Sequence, residues 1–349
     1  MALPNKALVF SEAQLQAIRA TNKTKDGSHI TYRTKVEFDG AEREGFFKEL
    51  NPEQGYPELL AKISVATSED LRTFLGDKSA EECLVFDKDN KIIGTFSFIV
   101  DGFTPFCYNA KKNQETDPGK REKTIPSTNK LAEENFTELA FAQLFLQNDD
   151  SHPGNNSLQG IIDFDMYWYW FTIYMKGARP VVGVPYDSPQ ITSNDYALFP
   201  FPIDSKPFHW FTFNNPGQIS LPFMMAMIPS AILENALPKK YPDPEQFRKL
   251  LLDPKAQEDK LAIALKILLT YQPEVLEKRL TERFGDIPLN YTSLGPELSK
   301  IYETKFPDLC NSETNRQPFV KFMMKLHQKH YDALYRTVVF FQGYKGVFK

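Results

Sequence analysis

The most constraining feature of this sequence is a strand-like segment that runs directly into a two-residue turn. Within His29–Phe38 the apolar side chains fall on one face of an extended chain, at Ile30, Tyr32, Val36 and Phe38. Such a pattern is typical of a strand with one buried face. Asp39-Gly40 follows, a dipeptide that favours the tight turn of a hairpin. Because a second strand-like segment, Arg43–Leu50, comes next, the sequence predicts an antiparallel hairpin near the start of the chain.

The segments on either side extend this hairpin into a mixed α+β region. A helix is predicted at residues 8–20, with Ser11 placed to cap its first turn. Pro57 favours the first turn of a second helix, which is predicted to reach Thr67 and to be followed by a short helix that Ser68 caps. The strands predicted after these helices are Glu82–Phe86 and Lys91–Val100.

Composition excludes several classes of protein. The chain has 349 residues and a formal net charge of -4, so it lacks the basic surplus that nucleic-acid binding requires. Its cysteines, Cys83, Cys107 and Cys310, are widely spaced, which predicts free thiols in a reducing compartment rather than a zinc site. No signal peptide is predicted, and no apolar run approaches the ~20 residues that a transmembrane helix needs.

A polar segment, Asn148–Asn156, lies between a predicted buried helix and a very short predicted hairpin. The helix covers residues 129–146 and has one apolar face. The hairpin is predicted to turn at Gln159-Gly160 and to end just before Asp163. Oxygen-bearing side chains are therefore concentrated at both ends of a tight turn, where the chain brings them close together.

Phosphoryl transfer requires positioning and charge neutralisation rather than covalent chemistry from the protein. One aspartate orients the attacking hydroxyl group, an asparagine and a second aspartate hold a metal ion on the phosphates, and a lysine binds the α- and β-phosphates. The candidates are Asp150 as the base, Asn155 and Asp163 as metal ligands, and Lys48 as the phosphate-binding lysine. Asp149 is an alternative base. These residues follow one another in the order that a two-lobed kinase requires.

These segments resemble the kinase domains of the phosphatidylinositol 3-/4-kinases and of HipA-like atypical kinases. Asp150–Asn155 is similar to their D-x-H-x-x-N catalytic loop, and Ile162–Asp165 is similar to the I-D-F-G segment of the lipid kinases. Gly45–Leu50 resembles the strand that carries the ATP lysine, and Tyr56–Lys62 resembles the helix that carries its acidic partner. The resemblance covers about residues 30–190 and extends to the phosphoinositide kinases among effectors of Legionella-type bacteria.

The resemblance implies a bilobal protein-kinase-like α+β fold, with ATP between the lobes and Mg²⁺ or Mn²⁺ on Asn155 and Asp163. It also implies that Glu58 is the acidic partner of Lys48, and that His152 is a catalytic-loop residue that orients the loop. The predicted domains are a small lobe at residues 1–105, a large lobe at 106–235 and a helical C-terminal extension at 236–349. Helices in and around that extension are predicted at 244–253, 256–270, 274–283, 295–304 and 317–341.

The chain departs from the family pattern in ways that leave alternatives open. It has no G-x-G-x-x-G sequence, and Asp165 stands where the family has glycine. The interval from Lys48 to Glu58 is short, so Glu69 is an alternative partner for the lysine. Asp187 is an alternative metal ligand that resembles one in HipA-like kinases. The interval between the predicted base and Asp163 is also shorter than the family has.

An aromatic run follows the predicted metal-binding segment. Tyr167–Lys176 and Pro180–Tyr186 are predicted to form a hairpin in the position of the lipid-kinase activation loop, and Lys176 and Arg179 are candidates to bind inositol phosphates. The leading hypothesis is a phosphoinositide kinase, secreted as a bacterial effector and acting peripherally at membranes in the host cytoplasm. The alternatives are a protein kinase or another nucleotide-dependent transferase on the same fold, and an inactive pseudokinase or membrane-binding adaptor.

Overall fold

A computed structural model of the chain shows a mixed α+β protein in which a six-stranded sheet has helices on both faces. The mixed α+β class predicted from the sequence is therefore confirmed. The residues that the structure describes are 3–20, 23–26, 29–52, 56–105, 130, 133–134, 136–148, 155–165, 167–172, 174–175 and 254–347.

The strands lie in the order β1-β5-β6-β4-β3-β2 across the sheet. They are β1 (Leu8–Val9), β2 (Lys23–Asp26), β3 (His29–Phe38), β4 (Ala41–Glu49), β5 (Glu82–Phe86) and β6 (Ile92–Phe98). Neighbouring strands are antiparallel except for β1, which pairs in parallel with β5. The sequence pattern predicted the four central strands and missed the two short outer ones.

The helices fall into an N-terminal and a C-terminal group. They are α1 (Glu12–Arg19), α2 (Pro57–Leu75), α3 (Phe136–Phe145), α4 (Tyr169–Thr172), α5 (Pro254–Thr270), α6 (Pro273–Phe284), α7 (Pro296–Lys305) and α8 (Phe319–Val347). The predicted cap of α1 is confirmed, because the Ser11 side chain accepts a hydrogen bond from the Gln14 N–H. Helices α5–α8 confirm four of the helices predicted near the C-terminus, and the predicted helix at 244–253 lies outside the described residues.

The β3–β4 hairpin forms where the sequence predicts it. Asp39 and Gly40 both have positive φ angles, 52° and 77°, as a two-residue turn that matches the twist of the strands requires. Phe38 pairs directly with Ala41 across the turn. Strand β4 therefore begins two residues earlier than the predicted Arg43.

Side chains that alternate along the sheet separate two hydrophobic clusters. Phe47, Cys83 and Val85 belong to the cluster that includes the buried residues of α1. Leu84 and Phe86 belong to the larger cluster that includes α2. Because successive residues of a strand point to opposite faces, Lys48, which follows Phe47, is directed towards the α2 side of the sheet.

Helix α2 is continuous, whereas the sequence predicted a break at Ser68. The Ser68 hydroxyl group donates a hydrogen bond to the Ala80 carbonyl at 2.7 Å and accepts one from the Glu82 N–H at 2.9 Å. A serine that resembles an N-cap in the sequence thus connects the middle of α2 to the start of β5. The tertiary contact satisfies the hydroxyl group, so nothing ends the helix at this point.

Helix α2 is buried on almost all sides and contacts the C-terminal helical part directly. The Lys62 ammonium group, 3% exposed, donates hydrogen bonds to the carbonyl groups of Pro288 and Leu289 at 2.9 and 3.0 Å. Burial lowers the pKa of Lys62 to about 8, against the opposing effect of the Glu58 charge. The C-terminal helices are therefore packed on the helix that follows β4 in the predicted small lobe.

The short hairpin before Asp163 is present, with its turn one residue earlier than predicted. Asn156 pairs with Ile161, and the Ser157 N–H donates to the Gly160 carbonyl at 2.9 Å. The hairpin is fixed to the chain ahead of β5, because Ile161 also pairs with Ser79. A side chain on Gly160 would place its Cβ 2.3 Å from the Lys78 carbonyl oxygen, so this close approach requires glycine.

The described part of the chain contains no helix that is both long enough and apolar enough to cross a bilayer. The cysteines in that part, Cys83 and Cys310, are buried and form no disulfide. Cys107 lies outside the described residues.

We expect Gly160→Ala to destabilise the protein by about 3 kcal/mol, because the new methyl group collides with a backbone carbonyl that cannot move freely. Gly40→Ala is the matched control, since Gly40 has a positive φ angle but open space around it, and this substitution should cost about 1 kcal/mol. Urea unfolding of both variants measures the difference. Equal losses would show that the hairpin does not depend on contact with Lys78.

The buried ammonium group of Lys62 predicts a rise in stability at alkaline pH. Its folded-state pKa of about 8 lies below its ordinary value of 10.5, so the unfolded chain binds more protons between these pH values and folding is favoured as pH increases. Relative to Lys62→Met, the wild-type free energy of unfolding should increase by on the order of 3 kcal/mol from pH 8 to 10.5. Lys325→Met, at an exposed lysine of α8, is the control. A constant difference for Lys62→Met would contradict the prediction.

Candidate functional site

Lys48 and Asp163, which are 115 residues apart in the chain, form an ion pair with 2.8 Å between Nζ and Oδ1. Strand β4 directs the lysine to the α2 side of the sheet, and the hairpin at Asn156–Ile161 carries Asp163 to the same place. The lysine side chain is 16% exposed and the aspartate side chain 33% exposed. The contact therefore lies at the edge of the interior, where a solvent-borne ligand has access to the carboxylate.

A second carboxylate, that of Glu82 at the start of β5, lies 3.5 Å from the Lys48 ammonium group. Glu82 is fully buried, and its other carboxylate oxygen accepts a hydrogen bond of 2.6 Å from the Ser64 hydroxyl group on α2. Helix α2 thus acts on the lysine through a strand residue. The lysine, the glutamate and the serine connect β4, β5 and α2 in one polar chain.

Glu82 takes the position for which the sequence suggested Glu58 or Glu69. Glu58 lies half-buried in the first turn of α2, where its charge acts on Lys62. Glu69 is ion-paired with Arg283 at 2.6 Å and is not the partner of Lys48. The chain interval between lysine and glutamate did not determine the partner, because the glutamate that contacts Lys48 comes from β5 and not from α2.

The carboxylates around Lys48 keep it charged. Burial alone lowers the pKa of Lys48, but Asp163, Glu82 and Asp165 together raise the pKa well above its ordinary value. The ammonium form is therefore held at every physiological pH. A fixed positive charge of this kind can bind an anionic ligand where a counter-charge for the surrounding carboxylates is supplied.

Asn155 and Asp163 both lie at the open end of the hairpin. The Ile162 N–H donates a hydrogen bond of 3.1 Å to the Asn155 carbonyl, which places Asn155 opposite the residue before Asp163. Asp163 has a φ angle of 68°, a left-handed conformation that is rare outside glycine and concentrates at functional sites. Amide and carboxylate oxygens are the donors that Mg²⁺ and Mn²⁺ prefer, so this pair fits the predicted metal.

The described residues contain no group of three or more His, Cys, Asp or Glu side chains that could hold a metal ion. The Asn155–Asp163 pair by itself would leave most of the coordination sphere of a bound cation to other ligands. That is the pattern of Mg²⁺ in nucleotide sites, where phosphates and water complete the octahedron.

Several predicted site residues lie outside the described part of the chain. These are Asp149, Asp150, His152, Lys176, Arg179 and Asp187. Their roles as base, loop brace, headgroup-binding residues and alternative metal ligand remain predictions.

The described part of the aromatic run is core, and it is not a strand. Residues Tyr169–Thr172 form one helical turn, which corrects the predicted hairpin in this segment. Trp168, fully buried, donates from its indole N–H to the Thr67 hydroxyl group of α2 at 3.0 Å. Tyr302 of α7 donates to the Phe171 carbonyl at 2.9 Å. The run thus packs the segment after Asp163 against α2 and the C-terminal helices.

A cavity of about 650 Å³ lies beside the hairpin, between the start of β4 and the chain that follows β6. Its lining includes charged groups that already have partners, since Arg43 is paired with Glu81 and Arg72 with Asp77. Neither Lys48 nor Asp163 lines it. The cavity is therefore not assigned to the candidate site.

Glu82 and Ser64 were not selected by sequence reasoning, although the sequence carried a signal for Glu82. Glu82, Leu84 and Phe86 share one face of a predicted strand, so a charge there points into the interior and requires a partner. Ser64 carried no such signal, because a serine within a helix is common on any face.

We expect Ser64→Ala to destabilise the protein by about 1–3 kcal/mol, because the buried Glu82 carboxylate loses its hydrogen-bond donor. Ser299→Ala is the matched control, since the Ser299 hydroxyl oxygen is buried and has no hydrogen-bond partner among the described residues. That control should change stability by less than about 0.5 kcal/mol. Urea unfolding measures both, and similar effects at the two serines would refute the role given to Ser64.

Sequence comparisons do not place this arrangement in a known family. No model of a protein family matches the chain, and no curated protein matches its sequence. The functional interpretation therefore depends on the geometry around Lys48 and on the resemblance of the short motifs.

Proposed function

We propose that this chain is an ATP-dependent phosphotransferase with a bilobal fold similar to that of the phosphatidylinositol 3-/4-kinases. The observation that carries the proposal is the contact between Lys48 and Asp163. Phosphoryl transfer needs a lysine on the phosphates and an aspartate on the metal at adjacent positions. The hydrogen bond between Ile162 and Asn155 also places Asn155 at the end of the hairpin that carries this aspartate.

The chain's own residues supply charge and position in this proposal. Lys48 binds the α- and β-phosphates of ATP through its ammonium group, which Glu82 and Ser64 hold in place from the interior. Asn155 and Asp163 would hold the divalent cation. The cation, when bound, would neutralise charge on the phosphates and orient the group that is transferred.

Asp150 is the proposed base. It would accept the proton of the acceptor hydroxyl group or orient that group for in-line attack. It lies five residues before Asn155 in the sequence. His152, which lies between them, is proposed to orient the catalytic loop.

The proposed acceptor is a phosphoinositide headgroup at a membrane surface. This part rests on the resemblance of Ile162–Asp165 to the lipid kinases and on Lys176 and Arg179 as candidate contacts to inositol phosphates. The same resemblance supports a bacterial effector that acts peripherally on host membranes. A protein acceptor on the same fold is the alternative that the experiment below distinguishes.

The proposal predicts lipid-dependent consumption of ATP that requires Lys48, Asp150 and Asp163. With Mg²⁺ and mixed phosphoinositide vesicles, Lys48→Met, Asp150→Ala and Asp163→Ala should each lower turnover by about 100-fold or more, because each removes a group that acts on the transferred phosphate. Asp286→Ala, at an exposed aspartate after α6, should retain wild-type turnover.

Turnover with a protein acceptor but with no lipid would show that the substrate is a protein. The proposed kinase activity would then stand, and the proposed lipid acceptor would not. A folded wild type that binds Mg-ATP without turnover on any acceptor would contradict the proposed activity and indicate a pseudokinase. Equal activity in Asp163→Ala and in the wild type would contradict the site assignment.

A further inference from the structure

Arg283 of α6 connects α2 to the start of β5 from within the protein. Its Nε atom donates to a carboxylate oxygen of Glu69 at 2.6 Å, and one terminal nitrogen donates to Glu81. The arginine side chain is 3% exposed. Arg283 lies on α6, Glu69 on α2, and Glu81 directly before β5. One guanidinium group from the C-terminal helical part therefore holds both α2 and the start of β5.

The network extends to the strand that carries Lys48. Glu81 is also paired with Arg43 on β4 at 2.8 Å. Burial alone raises the pKa of Glu81, but the two arginines lower it to about 2. The Glu81 carboxylate therefore stays ionised and joins β4, β5 and α6 at a single point.

Glu81 and Glu82 are neighbours in the chain but have different partners. Glu81 contacts the two arginines, whereas Glu82 contacts Ser64 and Lys48. Fixing Glu81 sets the backbone from which the Glu82 side chain projects. Loss of the ion pairs at Glu81 would therefore displace the Glu82 carboxylate, which faces Lys48.

Helix α2 has a second buried attachment to the same region. Lys62 donates to the Pro288 and Leu289 carbonyl groups, which lie just after α6. Lys62 and Glu69 are seven residues, about two helical turns, apart. Any rigid-body movement of α2 away from α6 must break both attachments and leave buried charges without partners.

We propose that Arg283 is a positioning residue, which holds α2 and β5 so that Glu82 faces Lys48 before any ligand binds. The site is then preassembled, and the C-terminal helices are part of its construction. The inference rests on the proposed function only in taking Lys48 as the phosphate-binding group. The geometric claim, that Arg283 controls the surroundings of Lys48, can be tested without any enzymatic turnover.

Acylation of Lys48 by an amine-reactive reagent, followed by mass spectrometry of the Lys48 peptide, is the test. Arg283→Lys retains the charge but cannot donate to Glu69 and Glu81 in the geometry of a guanidinium group. The Lys48 side chain is only 16% exposed in the wild type, and displacement of Glu82 opens it to the reagent, so we expect acylation of Lys48 to be severalfold faster. Arg279→Lys is the matched control, because Arg279 lies on the same helix and has no ion-pair partner among the described residues. In this variant the reagent should acylate Lys48 at the wild-type rate.

A merely structural role would lower the melting temperature of Arg283→Lys and leave the acylation rate of Lys48 unchanged, and that result would overturn the proposal. If Arg283→Lys does not fold, the same measurement is made on Glu81→Gln. This substitution weakens the ion pairs of Glu81 with Arg43 and Arg283 while keeping the size of the side chain. Faster acylation of Lys48 in that variant supports the proposal, and a wild-type rate overturns it. If the wild type proves to have no kinase activity, these readouts still stand.

Discussion

A buried ammonium group must be surrounded by carboxylates if it is to remain charged, and Lys48 imposes this requirement on its surroundings. Moving an ionised group from water into the protein interior costs on the order of several kcal/mol. Asp163 and Glu82 offset that cost, and they come from separate parts of the chain. The hairpin and the start of β5 are therefore constrained to meet at β4. The short strands, Gly160 and the packing of α2 all help to bring Asp163 and Glu82 to Lys48.

Helix α2 is subject to the same constraint, that a buried charged group requires a partner. It is buried almost throughout and yet carries Lys62, Glu69 and Asp70, which a purely apolar packing would not tolerate. Each has a partner far along the chain, and Asp70 lies 3.1 Å from His327 of α8. Pairs of this kind add little net stability, but they penalise every arrangement in which the partners are apart. They thus specify how the C-terminal helices sit on the sheet layer.

The features that local sequence determines were the predictable ones. Asp39-Gly40 and the alternation before it are sufficient for the β3–β4 hairpin, and the short hairpin at Asn156–Ile161 likewise follows from a tight turn. The partner of Lys48 was not predictable in this way, because Glu82 reaches it only through the pairing of β4 with β6 and of β6 with β5. Ser68 failed as a predicted cap for the same reason, since a distant strand satisfies its hydroxyl group.

The charge around Lys48 argues for a cation as part of the proposed function. Three carboxylates, Asp163, Asp165 and Glu82, act on this one ammonium group, so the set carries more negative than positive charge. The phosphates of ATP would be repelled by such a set if the lysine were their only counter-ion. A divalent cation held by Asn155 and Asp163 would offset this negative excess. Under the proposed function Asp165, which replaces the glycine of the family pattern, would make this requirement stricter, because it adds a negative charge that acts on Lys48.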